Sequence, residues 1–112
     1  HPNFWSFVEN TSKGVTIHEI DKGLDTGPII CQKKISFNIN KKKYDDFFKT
    51  NKVLILEIQK LFLKNINKIL NNKYIAKKQK NKGTFHYRNQ VPMFVKKNWK
   101  IKIKKLLENY KR

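Results

Sequence analysis

The chain has 112 residues, a length that suits one domain and not two, and a formal net charge of +18. No apolar run approaches membrane-spanning length, and residues 1–30, which start polar with no long apolar stretch behind, are not expected to form a signal peptide. Cys31 is the only cysteine, so an internal disulfide is excluded. Its apolar, strand-like setting predicts a buried free thiol, and a cytoplasmic location is expected.

The charge alone points to a polyanionic partner. The kind of charge argues otherwise. Of 26 basic residues only Arg88 and Arg112 are Arg, whereas proteins that read phosphate or guanine lean on the bidentate guanidinium. Lys, Asn and Ile are abundant together, a mixture that AT-rich codons produce without selection for binding. A solvated Lys surface is therefore the preferred reading, and a nucleic-acid partner is not expected.

Residues 1–13 are aromatic and irregular, with Phe4, Trp5 and Phe7, and read as the end of a helix. Gly14 opens a short strand, Val15 to Ile20, with β-branched residues in alternation. Two Gly, a Pro and two Asp then crowd into Asp21–Pro28, which is strong turn chemistry. A second strand follows from Ile29 to about Ile39.

Residues 44–71 read as one long helix. Asp45 and Asp46 fall in its first turn, where they complement the dipole. Phe47, Leu54, Ile58, Leu61, Phe62, Ile66 and Ile69 recur at three- and four-residue steps and define the packed face. Lys60, Lys64 and Lys68 mark the wet face. Residues 73–82 are Lys-rich and expected to be exposed, and residues 83–87 read as a short extended piece. Residues 98–111 predict a small amphipathic helix with Trp99, Ile103, Leu106, Leu107 and Tyr110 on its packed side. The expected division is a catalytic part over 1–72 and a basic tail with a short helix over 73–112.

The stretch with the most chemistry runs from Gly14 to Gln32: strand, tight loop, strand, with Asp25 at the loop's apex. Gly27 allows a sharp reversal and Pro28 stiffens the exit. Such a loop can hold a carboxylate in fixed geometry at a sheet end, where open α/β sheets place their sites. A turn with no further role has the same signature, so geometry alone leaves both readings open.

Gly14-Val15-Thr16-Ile17-His18, then Asp21, Gly23-Leu24-Asp25-Thr26-Gly27 and Ile29-Ile30, resembles the signature of folate-dependent formyltransferases. The likeness covers residues 2–37 closely, the long helix in place and character, and the remainder loosely. It is nearest in character to the sugar-nucleotide N-formyltransferases, through the run Pro2-Asn3-Phe4-Trp5-Ser6-Phe7. The resemblance implies an α/β fold, the C-terminal part of a Rossmann-like formyltransferase catalytic domain: short strand, catalytic loop, strand, long helix, basic tail. It implies 10-formyltetrahydrofolate as co-substrate, no metal, and a small-molecule acceptor amine, a nucleotide-linked amino sugar being favoured. A homodimer is carried as a further expectation.

By the same resemblance Asp25 is the catalytic carboxylate, and His18 either supports it by a hydrogen bond or is a satisfied histidine at a strand end. Ile20, Asp21, Gly23, Leu24 and Asp25 line the pterin pocket. The family's Asp works beside an Asn-x-His pair on an earlier strand end. His1-Pro2 invites that assignment, but His1 lies too close to Asp25 to fill it. The pair is therefore expected upstream of residue 1, which makes this chain a fragment that does not catalyse formyl transfer alone. Two rival readings remain: a degenerate, non-catalytic relative, and a small basic nucleic-acid-binding module built on Lys41–Lys43, Lys77–Lys80 and Lys104-Lys105 with nearby tyrosines. His1, His18, Cys31 and His86 show no metal-ligand spacing.

Overall fold

The computed structural model describes residues 2–23, 27–79 and 90–109. Its elements in chain order are α1 (Pro2–Val8), β1 (Lys13–His18), β2 (Ile29–Ile35), a 3₁₀ turn (Lys42–Tyr44), α2 (Phe47–Leu70), α3 (Met93–Lys97) and α4 (Ile103–Asn109). β1 and β2 form a two-stranded sheet. Glu19 bonds across to Pro28 while Gly14 lies against Lys33, so the strands run antiparallel in fixed register. Contacts group the chain into two units. One holds residues 1–13, 35–53 and 85–112, and the other residues 14–34 and 54–84.

The first unit is built on aromatic packing. Phe4, Phe7, Phe47, Val91, Val95, Ile103 and Leu106 are buried together, with Trp5, Phe37 and Trp99 packed around them. Phe47 stands 5.5 Å from Phe4 and 5.9 Å from Phe7, ring centre to ring centre, and meets Trp99 edge-on at 6.4 Å. Tilted and edge-on rings at these distances add to the area they bury. α2 starts within this unit, three residues later than the sequence suggests. Asp46 is its N-cap: Oδ1 accepts the Lys49 amide at 2.7 Å. Asp45 therefore sits just outside the helix. Its carboxylate accepts from Lys49 Nζ at 2.9 Å and Lys102 Nζ at 2.8 Å, and its carbonyl accepts the Ile103 amide that opens α4. Thr50, fully buried, returns its hydroxyl to the Asp46 and Phe47 carbonyls and accepts from Asn3 Nδ2 at 2.9 Å.

Among the described residues the predicted helix over 98–111 is present from Ile103 to Asn109, where Ile103 and Leu106 are buried as expected. Tyr110 lies outside the described residues. α3 was not foreseen. Five residues after Pro92 carry too little periodicity to announce a helix, yet Val95 is fully buried.

The second unit is packed more thinly. Val15 and Gly27 are its buried residues among those described. Leu54, Ile58, Leu61, Ile66 and Ile69 are half-buried along one side of α2, as the stripe predicts, whereas Phe62 is 41% exposed. Lys60, Lys64 and Lys68 are exposed, also as predicted. The helix closes on Asn72, whose φ of 52° puts it in the left-handed region. There the Lys73 amide donates to the Lys68 carbonyl and the Asn72 amide to that of Ile69, a Schellman stop with Asn in place of Gly. No helix among the described residues is long and apolar enough to cross a membrane.

Candidate active site

The loop joining β1 to β2 starts from a narrow base. The Glu19 amide donates to the Pro28 carbonyl at 2.8 Å. Gly27 is buried, and a Cβ at that position would run into the Glu19 carbonyl oxygen, so the two legs touch backbone to backbone. Only glycine permits that approach. β1 ends at His18, whose Nδ1 stands 2.8 Å from the Glu19 carbonyl. A carbonyl only accepts, so Nδ1 carries a proton and donates. The first leg turns through Asp21: Oδ1 accepts the Gly23 amide at 2.9 Å, an Asx-turn.

The sequence-derived site residues are thus placed as follows. His18 ends the strand and braces the loop's first carbonyl. Ile20 is 94% exposed, a large apolar side chain offered to solvent at the loop's entrance. Asp21 and Gly23 form the turn. Leu24 and Asp25, the apex, lie outside the described residues, as does Thr26. Trp5 is half-buried against the aromatic core, with Phe4 edge-on at 5.0 Å. Cys31, expected to be buried, is only partly so, and that burial raises its thiol pKa. Residues 83–87, read as a short extended piece, lie outside the described residues. Among the described residues no group of His, Cys, Asp and Glu could hold a metal ion.

A second layer of bonds reaches the loop from the segment after α2. Lys77 pairs with Ile29 in an antiparallel bridge, at 2.6 Å and 2.8 Å, along the edge of β2. Gln79 Nε2 donates to the Gly27 carbonyl at 2.7 Å. Tyr74 donates its hydroxyl to Glu19 Oε1 at 3.2 Å. Partial burial, then the Glu19 carboxylate, raise the Tyr74 pKa and keep it a donor. Sequence reading took this stretch for exposed, Lys-rich chain. Tyr74 and Gln79 carry no local pattern that marks them, because their partners lie 55 and 52 positions away. An open groove of about 550 Å³ lies beside Tyr74, with Ile30, Ile69 and Ile75 on its apolar side and Lys68 and Lys73 on its basic side.

No protein-family model matches the chain. Solved structures do. The chain is similar to the formyltransferase PseJ from Anoxybacillus kamchatkensis, with 34% identity, a TM-score of 0.82, and coverage of 95% of this chain and 56% of that one. PseJ was crystallised with UDP-4,6-dideoxy-4-formamido-L-AltNAc and tetrahydrofolate. It is also similar to the N-formyltransferase from Helicobacter canadensis, in complex with folinic acid and dTDP-3-aminofucose, at 32% identity and a TM-score of 0.67, over 80% of this chain and 33% of that one. A third likeness is to WlaRD, a sugar 3N-formyl transferase studied with dTDP and 5-N-formyl-THF, at 30% identity and a TM-score of 0.63, over 81% and 32%.

The α/β fold is accordingly that of a formyltransferase domain, represented in part: the chain spans about half the length of PseJ and about a third of the other two. Within that class its likeness is to the sugar N-formyltransferases, and the partial coverage fits a C-terminal piece. The likeness of the chain is thus one of sequence and fold together.

Proposed function

We propose that this chain is the C-terminal part of the catalytic domain of a sugar N-formyltransferase. The complete domain transfers the formyl group of 10-formyltetrahydrofolate to the amine of a nucleotide-linked amino sugar. One observation carries the reading: 34% identity over 95% of the chain to PseJ, whose complex holds a formamido nucleotide sugar together with tetrahydrofolate. Those two molecules are the products of such a transfer.

In the proposed reaction the acceptor nitrogen attacks the formyl carbon and a C–N bond forms. The carbonyl π pair moves to oxygen and the nitrogen loses a proton. Asp25 takes that proton, directly or through water. The oxyanion is steadied by an Asn-x-His pair that this reading places upstream of residue 1. Collapse of the intermediate breaks the bond from the formyl carbon to N10, which leaves with the electron pair and is protonated. Tetrahydrofolate and the formamido sugar result.

The rest of the loop serves binding. Ile20, exposed beside the turn, offers an apolar face to a pterin ring. The polar edge of the pterin is met by main-chain groups of Ile20, Asp21, Gly23, Leu24 and Asp25. The Gly23 amide is already committed to Asp21, so Gly23's contribution falls to its carbonyl. His18 supports the carboxylate indirectly, by holding the Glu19 carbonyl. This division of labour accounts for a loop whose base is fixed by backbone bonds.

The test is formylation of amino-sugar nucleotides by the full-length protein carrying this chain, supplied with 10-formyltetrahydrofolate, beside Asp25→Asn. The variant is expected to lose about 10²- to 10⁴-fold in kcat. Undiminished turnover in the variant would sink the role given to Asp25. Absence of transfer to any amine would return weight to a non-catalytic relative.

A further inference from the structure

Among the described residues the segment after α2 touches the loop through Tyr74, Lys77 and Gln79, and the touch at Gly27 is the one closest in sequence to Asp25. We infer that Gln79 is a positioning residue for the catalytic loop: its side-chain amide holds the Gly27 carbonyl, two positions beyond Asp25 in sequence, and so fixes the leg by which the loop returns to the sheet. The inference rests on the formyl-transfer reading above for its effect on turnover, and on geometry alone for its effect on the loop.

The geometry is a bracket with two arms. On the entering leg, the Tyr74 hydroxyl holds the Glu19 side chain at 3.2 Å. On the leaving leg, Gln79 holds the Gly27 carbonyl at 2.7 Å, and Lys77 pairs with Ile29 just beyond. Between the arms the two legs are joined by the Glu19–Pro28 bond and by the close approach of Gly27 to Glu19. A glycine has no side chain with which to anchor itself. Its buried carbonyl needs a partner, and that partner comes from Gln79. Braced on both legs, the loop enters and leaves its base from fixed positions, the support that a catalytic group needs.

Tyr74 is the weaker arm, since its bond is longer and goes to a side chain. Gln79 acts on the backbone itself. A loop without this bond still closes at Glu19–Pro28 but opens there more often, so folding survives while the base of the loop gains freedom. A displacement of about 1 Å from a change remote from the chemistry can cost about 10²-fold in rate.

The experiment compares Gln79→Ala and Gln79→Glu in the full-length protein, reading steady-state kinetics and amide hydrogen exchange. Glu keeps the shape of Gln but offers no donor as a carboxylate. Both variants are expected to lose about 10- to 100-fold in kcat, with the acceptor KM unchanged. Exchange at the Glu19 amide should quicken, while amides inside α2 keep their protection. A Gln79→Glu variant with wild-type kcat would overturn the inference, because shape and not donation would then be what matters. Uniform loss of protection, in α2 as much as at Glu19, would overturn it too, by reducing Gln79 to a general stabiliser. If the unaltered protein transfers no formyl group, the proposed function fails. The exchange at Glu19 then decides by itself whether Gln79 braces the loop.

Discussion

The two units of the chain are held by different forces. In the unit of residues 1–13, 35–53 and 85–112, three phenylalanines from α1 and α2 and four aliphatic side chains from residues 91–106 are buried. In the unit of residues 14–34 and 54–84, order comes from backbone and amide hydrogen bonds around one glycine. Apolar burial is non-directional and tolerates small adjustments. Hydrogen bonds are directional and set a backbone's position closely. The loop proposed for chemistry lies in the unit built on direction, and most of the buried apolar volume lies in the other.

That contrast is broken most severely at Phe47. Its side chain is 2% exposed and meets Phe4, Phe7 and Trp99. Phe47→Ala leaves a cavity between Phe4, Phe7 and Trp99. The expected cost is about 3–5 kcal/mol, measured as a fall in denaturation midpoint with unchanged denaturant slope. If the variant unfolds with the midpoint of the parent, the aromatic cluster is not what holds this unit.

Gly27→Ala sharpens the comparison from the other side. The added methyl meets backbone, the Glu19 carbonyl, and not the flexible end of a side chain. Either the Glu19–Pro28 bond opens or the legs move apart. Overpacking of this kind costs about 1–3 kcal/mol, less than the Phe47 cavity. Its effect on turnover should nonetheless be the greater part of the phenotype, because the displaced backbone adjoins the apex. Hydrogen exchange should quicken at Glu19 and Ile29 and stay slow at Ile103. Loss of protection at all three amides would show that the two units do not differ in the way described.

How much of this was legible in the sequence follows from the range of each interaction. The loop was legible, since Gly, Pro and Asp within eight positions state turn chemistry locally. The α2 stripe was legible through its period, and the exposed Lys60, Lys64 and Lys68 through the same period. The start of α2 was misplaced. Aspartates at 45 and 46 suit a first turn as well as a cap, and only the Lys49 amide bond to Asp46 decides between them. β2 ends at Ile35, short of the predicted Ile39, because residues 36–39 turn their side chains to the aromatic core through Phe37 and Ile39 instead of extending the ladder. The bracing of the loop by Tyr74, Lys77 and Gln79 was illegible. Each pairing spans some fifty residues, and no spacing rule connects such positions. The apex, with Leu24 and Asp25, rests on resemblance alone.

The smallest expected effect concerns charge in the aromatic unit. Hydrogen bonds from Lys102 and then Lys49 hold the Asp45 carboxyl below its ordinary value of 3.8, outweighing the partial burial that opposes them. A folded-state pKa below the unfolded one means that the unfolded chain binds the proton more readily. The interaction therefore stabilises the fold in full above the unfolded value and fades as pH falls through the folded one. Asp45→Asn should leave stability close to that of the parent once the pH has fallen below the folded-state value, and lower it modestly at neutral pH, where exposed pairs contribute little. Added salt should shrink the neutral-pH difference. Because Asp45 also accepts the Ile103 amide through its main chain, which Asn preserves, the substitution isolates the carboxylate. A difference between variant and parent that does not shrink as the pH falls below the ordinary carboxylate range, or that grows with salt, would show that Asp45 acts through something other than its charge.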